Sequence, residues 1–158
     1  MIIATFTITE ERKETYNFSE PYYIDEIGFL VKKDSPLADI GDMNGKTIGV
    51  GKMGTAKQAL ETQAKELNLN LSYKQYDSYP EIKAALLTGE VDVFSVDKSI
   101  LRGYDDDQTT LLDYGFNPQE YGIATKKENK ALADRINSFI QEIKENGELD
   151  KIIAKWNV

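Results

Sequence analysis

The chain has 158 residues, enough for one domain or two small lobes, and its 41% apolar and 29% charged residues are the mix of a folded globular chain. A net charge of -8 leaves no basic stripe to neutralise nucleic-acid phosphates or to meet an anionic membrane surface. With no cysteine and no histidine there is no disulfide framework, thiolate nucleophile or Cys-ligated zinc, and the commonest general base and metal ligand are missing, which disfavours an ordinary hydrolase or metalloenzyme.

No apolar run approaches the roughly 20 residues of a membrane span. No basic segment followed by an apolar core opens the chain, so no signal peptide is expected. Near the start, Thr5, Thr7 and Thr9 alternate with Phe6 and Ile8, the period-two pattern of a strand. The three hydroxyls are then expected on one face and the apolar chains on the other. Arg12 follows within a short turn. Hydroxyls, backbone N–H groups and a guanidinium would converge there, which is how a protein holds a carboxylate, because the guanidinium fork matches two carboxylate oxygens.

Residues 22–33 enter a strand whose apolar part is Ile27 to Val31, and Asp34-Ser35-Pro36 breaks it. Residues 37–44 form a short helical turn that Gly45 ends, and 47–50 a short buried strand. A glycine-bearing turn at 51–55 leads to a helix over 56–67 with Ala59, Leu60, Ala64 and Leu67 on one face, and Asn68 at its stop. Residues 71–76 alternate as a strand. Ser78 and Glu81 have capping-box spacing and open a helix with Ile82, Ala85 and Leu86 inward, closed by Gly89. Residues 91–96 form an apolar strand ending at Asp97, from which a helix runs to about Tyr104. Alternating strands and helices build a small α/β layer with a largely parallel sheet. Short strands are expected at 111–113 and 121–125. Asn129 caps a long helix over 130–145 carrying Leu132, Ile136, Phe139, Ile140 and Ile143. Gly147 breaks it before a last helix with Leu149, Ile152, Ile153 and Trp156.

The run Thr7-x-Thr9-x-x-Arg12 followed by Phe18-Ser19-x-Pro21-Tyr22-Tyr23 resembles the signature of the polar amino-acid solute-binding proteins of ABC importers, bacterial family 3. Further elements resemble that family in order along the chain: Asp42-Met43-Asn44-Gly45-Lys46, the turn from Gly49-Val50 to Gly54-Thr55, the strand from Asp92 to Asp97, Tyr121-Gly122-Ile123-Ala124, and the closing helix from Asn146-Gly147 to Trp156. The resemblance implies an α/β, periplasmic-binding-protein-like fold of two lobes joined by two crossing strands, closing like a hinge on a ligand held between them. Residues 1–24 would be a lobe-one strand, ligand-binding turn and crossing, 25–119 a complete lobe two, and 120–158 the return crossing and C-terminal lobe-one helices. The family's lobe one begins upstream of the Thr/Arg strand, so Met1 is read as a truncated start. The remaining lobe-one pieces would expose apolar faces, such as Leu132, Ile136 and Phe139 with Trp156, favouring a homodimer or strand exchange.

The same resemblance implies the site. Arg12 would clamp an amino-acid carboxylate, with Thr7 adding a hydroxyl or backbone N–H. The turn at Gly54, Thr55 and Ala56 would add N–H groups at a helix N-terminus, where the macrodipole favours an anion; the plain alternative is an ordinary strand–helix connection. Asp97 would accept from the ammonium, helped by Thr5 or Thr7; its alternative is a helix N-cap. Lys52 and Lys57 flank the turn, within reach of a ligand side-chain group, and are read as solvated surface lysines in preference to that. Asp105-Asp106-Asp107 lacks the spaced ligands of a calcium loop and is read as a solvated loop, and Tyr73, Tyr76 and Tyr79 as packing. No cofactor is expected.

Three functions are weighed. The first is extracytoplasmic capture of a polar L-amino acid, glutamine favoured, for delivery to an ABC-transporter permease. The second is a dehydratase on the same fold, which needs a proton donor in the cleft. The third is a ligand-sensing receptor domain, disfavoured by a chain that ends at Trp156-Asn157-Val158 with no linker or membrane helix.

Overall fold

The computed structural model describes residues 1–156; Asn157 and Val158, at the end of the chain noted above, lie outside the described residues. The chain divides into two compact units. Unit 1 is Met1–Asp25 with Gln119–Val158, and unit 2 is Glu26–Pro118.

Unit 2 is a sheet covered on both faces. Its strands are β2 (Tyr23–Lys32), β3 (Thr47–Gly51), β4 (Ser72–Tyr76), β5 (Val93–Asp97), β6 (Thr109–Leu111) and β7 (Phe116–Tyr121), in the order β4-β3-β5-β2-β6 with β7 also paired to β2. Successive strand residues point to opposite faces. Ile27, Phe29 and Val31 therefore join Ile48, Val50 and Leu60 in one core, while Leu30, Phe94 and Val96 join Ile82, Leu86 and Leu101 in the other. This double burial is why Ile27 to Val31 reads as an unbroken apolar run.

The helices carry local signals that act as expected. In α3 (Tyr79–Thr88) the Ser78 and Glu81 capping box forms, and Gly89 ends the helix at φ 80°, a left-handed geometry that glycine adopts without a Cβ penalty. Helix α2 (Ala56–Glu66) ends before Asn68 at φ 55°. Its inward residues are Ala56, Leu60 and Ala64; Leu67 is 45% exposed, because the chain has left the helix there.

Three expectations are corrected in the strands. The sheet is mixed rather than largely parallel: β3 runs parallel to β4 and β5, but β2 is antiparallel to both β5 and β6. A strand arriving from outside the β/α alternation can enter the sheet in either direction, and helical crossovers constrain only the strands that they connect. The strand expected at 111–113 lies at Thr109–Leu111, where it pairs with Leu30, Val31 and Lys32. The strand expected over 121–125 is two, β7 and β8 (Ala124–Lys126), broken at Gly122 and Ile123. Ser19 takes both Ile123 backbone groups, its N–H donating to the carbonyl and its Oγ accepting from the N–H, each at 3.0 Å. A Cβ at Gly122 would stand 2.8 Å from Ile8 and 3.0 Å from Phe18.

Unit 1 is built from both ends of the chain. It holds α1 (Glu10–Thr15), β1 (Tyr16–Phe18) paired antiparallel with β8, and the helices α5 (Lys130–Glu145) and α6 (Glu148–Trp156). Asn129 caps α5 by accepting from the Leu132 N–H. The core here is Ile123, Ile140 and Ile143, with Ile136 and Leu149 packed on it, while Phe139 and Trp156 are 54% and 69% exposed. Leu132 and Ile136 are half-buried.

The strand expected at Thr5 to Thr9 is the fourth correction. The segment makes two isolated bridges, Ile2 to Ala124 and Thr7 to Tyr121, so five steps along one segment face three along the other. The excess is taken up at Ala4 and Thr5, where the Phe6 N–H donates to the Ala4 carbonyl at 2.7 Å and folds the chain back. The period-two pattern therefore does not persist: Thr5 is exposed, Thr7 is buried and Thr9 is half-buried.

Candidate functional site

In unit 1 the local chain geometry fixes Arg12. Thr9 is the N-cap of α1, and its hydroxyl accepts from the Arg12 N–H at 3.2 Å. This places Arg12 in the first turn of a six-residue helix. Its Nη1 donates to the Thr7 carbonyl at 2.8 Å. The guanidinium carbon stands 4.3 Å from the centre of the Phe6 ring. The Ala4 carbonyl at the bend also accepts from the Tyr22 hydroxyl at 2.6 Å, and burial pushes the Tyr22 phenol above its ordinary range. Thr7 and Arg12 are thus brought together through backbone and side chain. Thr9 spends its hydroxyl on the cap, and Thr5 lies on the exposed side of the bend.

Unit 2 places its predicted residues along one sheet edge. β3 and β5 are parallel neighbours, with Ile48 opposite Val93 and Gly49 opposite Phe94. Their C-terminal ends therefore lie at the same edge, where open α/β sheets hold ligands. The end of β3 leads through Gly54 and Thr55 into α2, with the Gly54 N–H donating to the Gly51 carbonyl at 3.4 Å and the Thr55 carbonyl accepting from the Ala59 N–H at 3.2 Å. Ala56 is buried at the first position of α2. The end of β5 is Asp97, 5% exposed. It precedes α4 (Lys98–Arg102), yet its side chain makes no capping bond to that helix.

Other residues singled out in the sequence serve packing and surface pairing. Lys52 pairs with Asp77 at 2.7 Å, and Lys57 pairs with Glu61 one helical turn on. Tyr73 packs on the Ile27/Phe29 core, and Tyr76 and Tyr79 on the Leu30/Phe94 core. In the aspartate-rich loop the cation is the protein's own: Lys83 Nζ donates to the Tyr104 carbonyl at 2.7 Å, the Thr109 hydroxyl at 2.8 Å and the Asp106 carboxylate at 3.1 Å. The Lys83 bond, with the Gln108 N–H, holds the Asp106 carboxyl below its usual range. No group of three or more acidic side chains among the described residues could hold a metal ion. A cavity of about 590 Å³ lined by Lys32, Lys33, Lys46 and Asp92 lies at the opposite, N-terminal edge of β3 and β5 and contains none of the predicted site residues.

The sequence assigns no site role to Phe6, to Tyr22 or to the buried pair of Tyr121 and Asp25, whose hydroxyl and carboxylate meet at 3.0 Å. Phe6 was hidden by the period-two pattern, which sets it on the face away from the threonines. The sequence signal that could have found it is the cluster Phe6, Tyr16 and Phe18 around one arginine.

No helix among the described residues is long and apolar enough to cross a membrane. Among curated proteins, the chain is 35% identical over 158 residues to the ABC transporter glutamine-binding protein GlnH of Bacillus subtilis (strain 168), a match covering 98% of this chain and 56% of that protein. It is 34% identical to the arginine-binding periplasmic protein of Mannheimia haemolytica, covering 98% of this chain and 64% of that protein. Among solved structures, an ancestral arginine-binding protein bound to arginine superposes with a TM-score of 0.81 at 33% identity, over 98% of this chain and 70% of that one. The chain thus spans little more than half the length of the curated relatives, while the shared α/β architecture runs through nearly all of it. The model of the bacterial extracellular solute-binding proteins, family 3, matches residues 1–158, and the chain belongs to that family.

Proposed function

We propose that this chain is the amino-acid-holding part of an extracytoplasmic capture protein that takes up a polar L-amino acid, glutamine favoured, and delivers it to the permease of an ABC transporter. The observation that carries the reading is the preset Arg12, tied to the Thr7 carbonyl at 2.8 Å and seated on Phe6. Arg12 clamps the carboxylate, and Thr7 assists through its hydroxyl or backbone N–H. The N–H groups of Thr55 and Ala56 add donors at the start of α2, and Gly54, whose own N–H turns to the Gly51 carbonyl, lets the ligand approach the backbone closely. Asp97, buried at the strand edge, accepts from the ammonium, and Thr5 is the weakest of the contacts. Glutamine is favoured through the similarity to GlnH, and the similarity to arginine-binding proteins makes arginine the first competitor. A second copy of this chain is a further partner, through the exposed apolar side chains of unit 1.

The test is a thermal-shift screen of the chain against the standard amino acids, repeated with Arg12→Ala and Asp97→Ala. A ligand that binds only the folded state raises the midpoint by mass action. A rise with glutamine is expected, and each variant should weaken binding by at least about two orders of magnitude, since a hydrogen bond to a charged group contributes about 1.5–3 kcal/mol and each residue makes more than one. Retained affinity in either variant would overturn the assignment of that residue. The competing dehydratase reading predicts turnover of a cyclic acid and no midpoint rise with amino acids.

A further inference from the structure

A clamp is useful only if its fork is already oriented when the carboxylate arrives. Arg12 has a long, rotamer-rich side chain on a helix of six residues, too short to be stable by itself, so its orientation has to come from neighbours. Two are present. The Thr7 carbonyl takes one N–H of Nη1 at 2.8 Å, which sets the in-plane direction. The face of Phe6, 4.3 Å from the guanidinium carbon, limits movement out of the plane, because an aromatic face attracts a cation.

Phe6 is itself held. Its ring stacks on Phe18 with centres 5.5 Å apart and planes inclined by 23°, and it meets Tyr16 edge to face at 5.8 Å and 84°. The three aromatic rings form a shelf at the start of β1, and the bend at Ala4 and Thr5 puts Phe6 on it. All of these contacts lie within unit 1.

We propose that Phe6 is a positioning residue for ligand carboxylate binding: its ring fixes the Arg12 guanidinium before the ligand arrives and so lowers the ordering cost of binding. This rests on the reading of Arg12 as the clamp. It adds that affinity depends on the π face at position 6 and not merely on an apolar side chain of similar size.

The experiment has a ligand-free and a ligand-binding arm, both on the full chain. In the ligand-free arm, the ¹H–¹⁵N signal of the Arg12 Nε–H is expected to be displaced upfield by the Phe6 ring current. It should return to the ordinary arginine position in Phe6→Leu and stay displaced in Phe6→Trp. An unchanged signal in Phe6→Leu overturns the proposal. In the second arm, L-glutamine and L-arginine are titrated calorimetrically. Phe6→Leu should bind the better of the two about three- to tenfold more weakly, with recovery in Phe6→Trp. Should Phe6→Leu fail to fold by circular dichroism, mono-, di- and trifluorophenylalanine placed at position 6 keep the shape while draining the ring face; stepwise loss of affinity supports the proposal and constant affinity overturns it. Parent-like binding by Phe6→Leu together with lost binding by Arg12→Ala overturns the role of Phe6 and leaves the clamp standing. Parent-like binding by Arg12→Ala overturns the clamp, and the role of Phe6 with it.

Discussion

Unit 2 buries Ile27, Phe29, Leu30, Met43, Ile48 and Leu60 with no solvent contact left, whereas unit 1 leaves Met1, Ile3, Phe139 and Trp156 each more than half exposed. The difference follows from how each is built. Unit 2 is one continuous stretch in which strands and helices alternate, so both faces of its sheet acquire a layer. Unit 1 joins two distant parts of the chain around three buried isoleucines. The candidate ligand groups inherit this contrast. Asp97 sits at the end of a strand buried along its whole length, while Arg12 depends on a bend, a cap and an aromatic shelf. Rigidity that packing gives to the first must come from local contacts for the second.

The strongest way to sharpen this contrast is to cut into each core. Phe94→Ala empties a fully buried site between Tyr79 and Tyr104 and should cost unit 2 about 3–5 kcal/mol. Ile140→Ala, in the thinner core of unit 1, should cost about 2 kcal/mol, the low end for its kind, because partly exposed surroundings can relax into the gap. Urea unfolding followed by backbone ¹H–¹⁵N signals reads the two units separately, through Ile123 and Ile143 for unit 1 and Phe29 and Val50 for unit 2. Ile140→Ala should move the midpoint of the unit 1 signals and Phe94→Ala that of the unit 2 signals. Equal movement of both signals in both variants would break the contrast and make the two units one cooperative structure.

A smaller effect is expected from Lys83→Met, at about 1–3 kcal/mol, because the Lys83 side chain that ties α3 to the start of β6 is only 12% exposed and its loss leaves the Tyr104 carbonyl and Thr109 hydroxyl without that donor. The pH dependence has a definite sign. The Asp106 carboxyl is lowered from its ordinary value of 3.8, first by its bond with Lys83. Its contribution to stability is therefore present above that value and lost as pH falls through the lowered one. The difference between parent and Lys83→Met should shrink with acidification below about pH 4, as seen in urea midpoints; a difference that grows there would contradict the assignment.

The smallest effect should be on association. The exposed Phe139, Ile152 and Trp156 of unit 1 should give self-association at micromolar concentration in sedimentation, weakened severalfold by Phe139→Ser. Monomeric behaviour at that concentration would remove the second copy as a partner.

What residues 1–158 determined by themselves is local. The capping box of Ser78 and Glu81, the left-handed stops at Gly89 and Gly147, and the Asn129 cap are legible because the interacting atoms lie within a turn of each other. The order of weak family motifs is equally legible, since order along the chain needs no folding. The tertiary structure decided the rest. The antiparallel entry of β2, with Ile27 opposite Asp97, joins residues far apart in sequence, and no local free energy selects that partner over another apolar strand. The Thr5 to Thr9 segment has strand periodicity, yet it folds back at Ala4 and Thr5, because Ala124 and Tyr121 hold its two ends at a spacing that an unbroken ladder cannot match. That bend, fixed by pairing partners more than a hundred residues away, sets Phe6 against Tyr16 and Phe18. The turn that lies between Phe6 and Arg12 is local, the Thr9-capped start of α1, and it brings the guanidinium back over the ring.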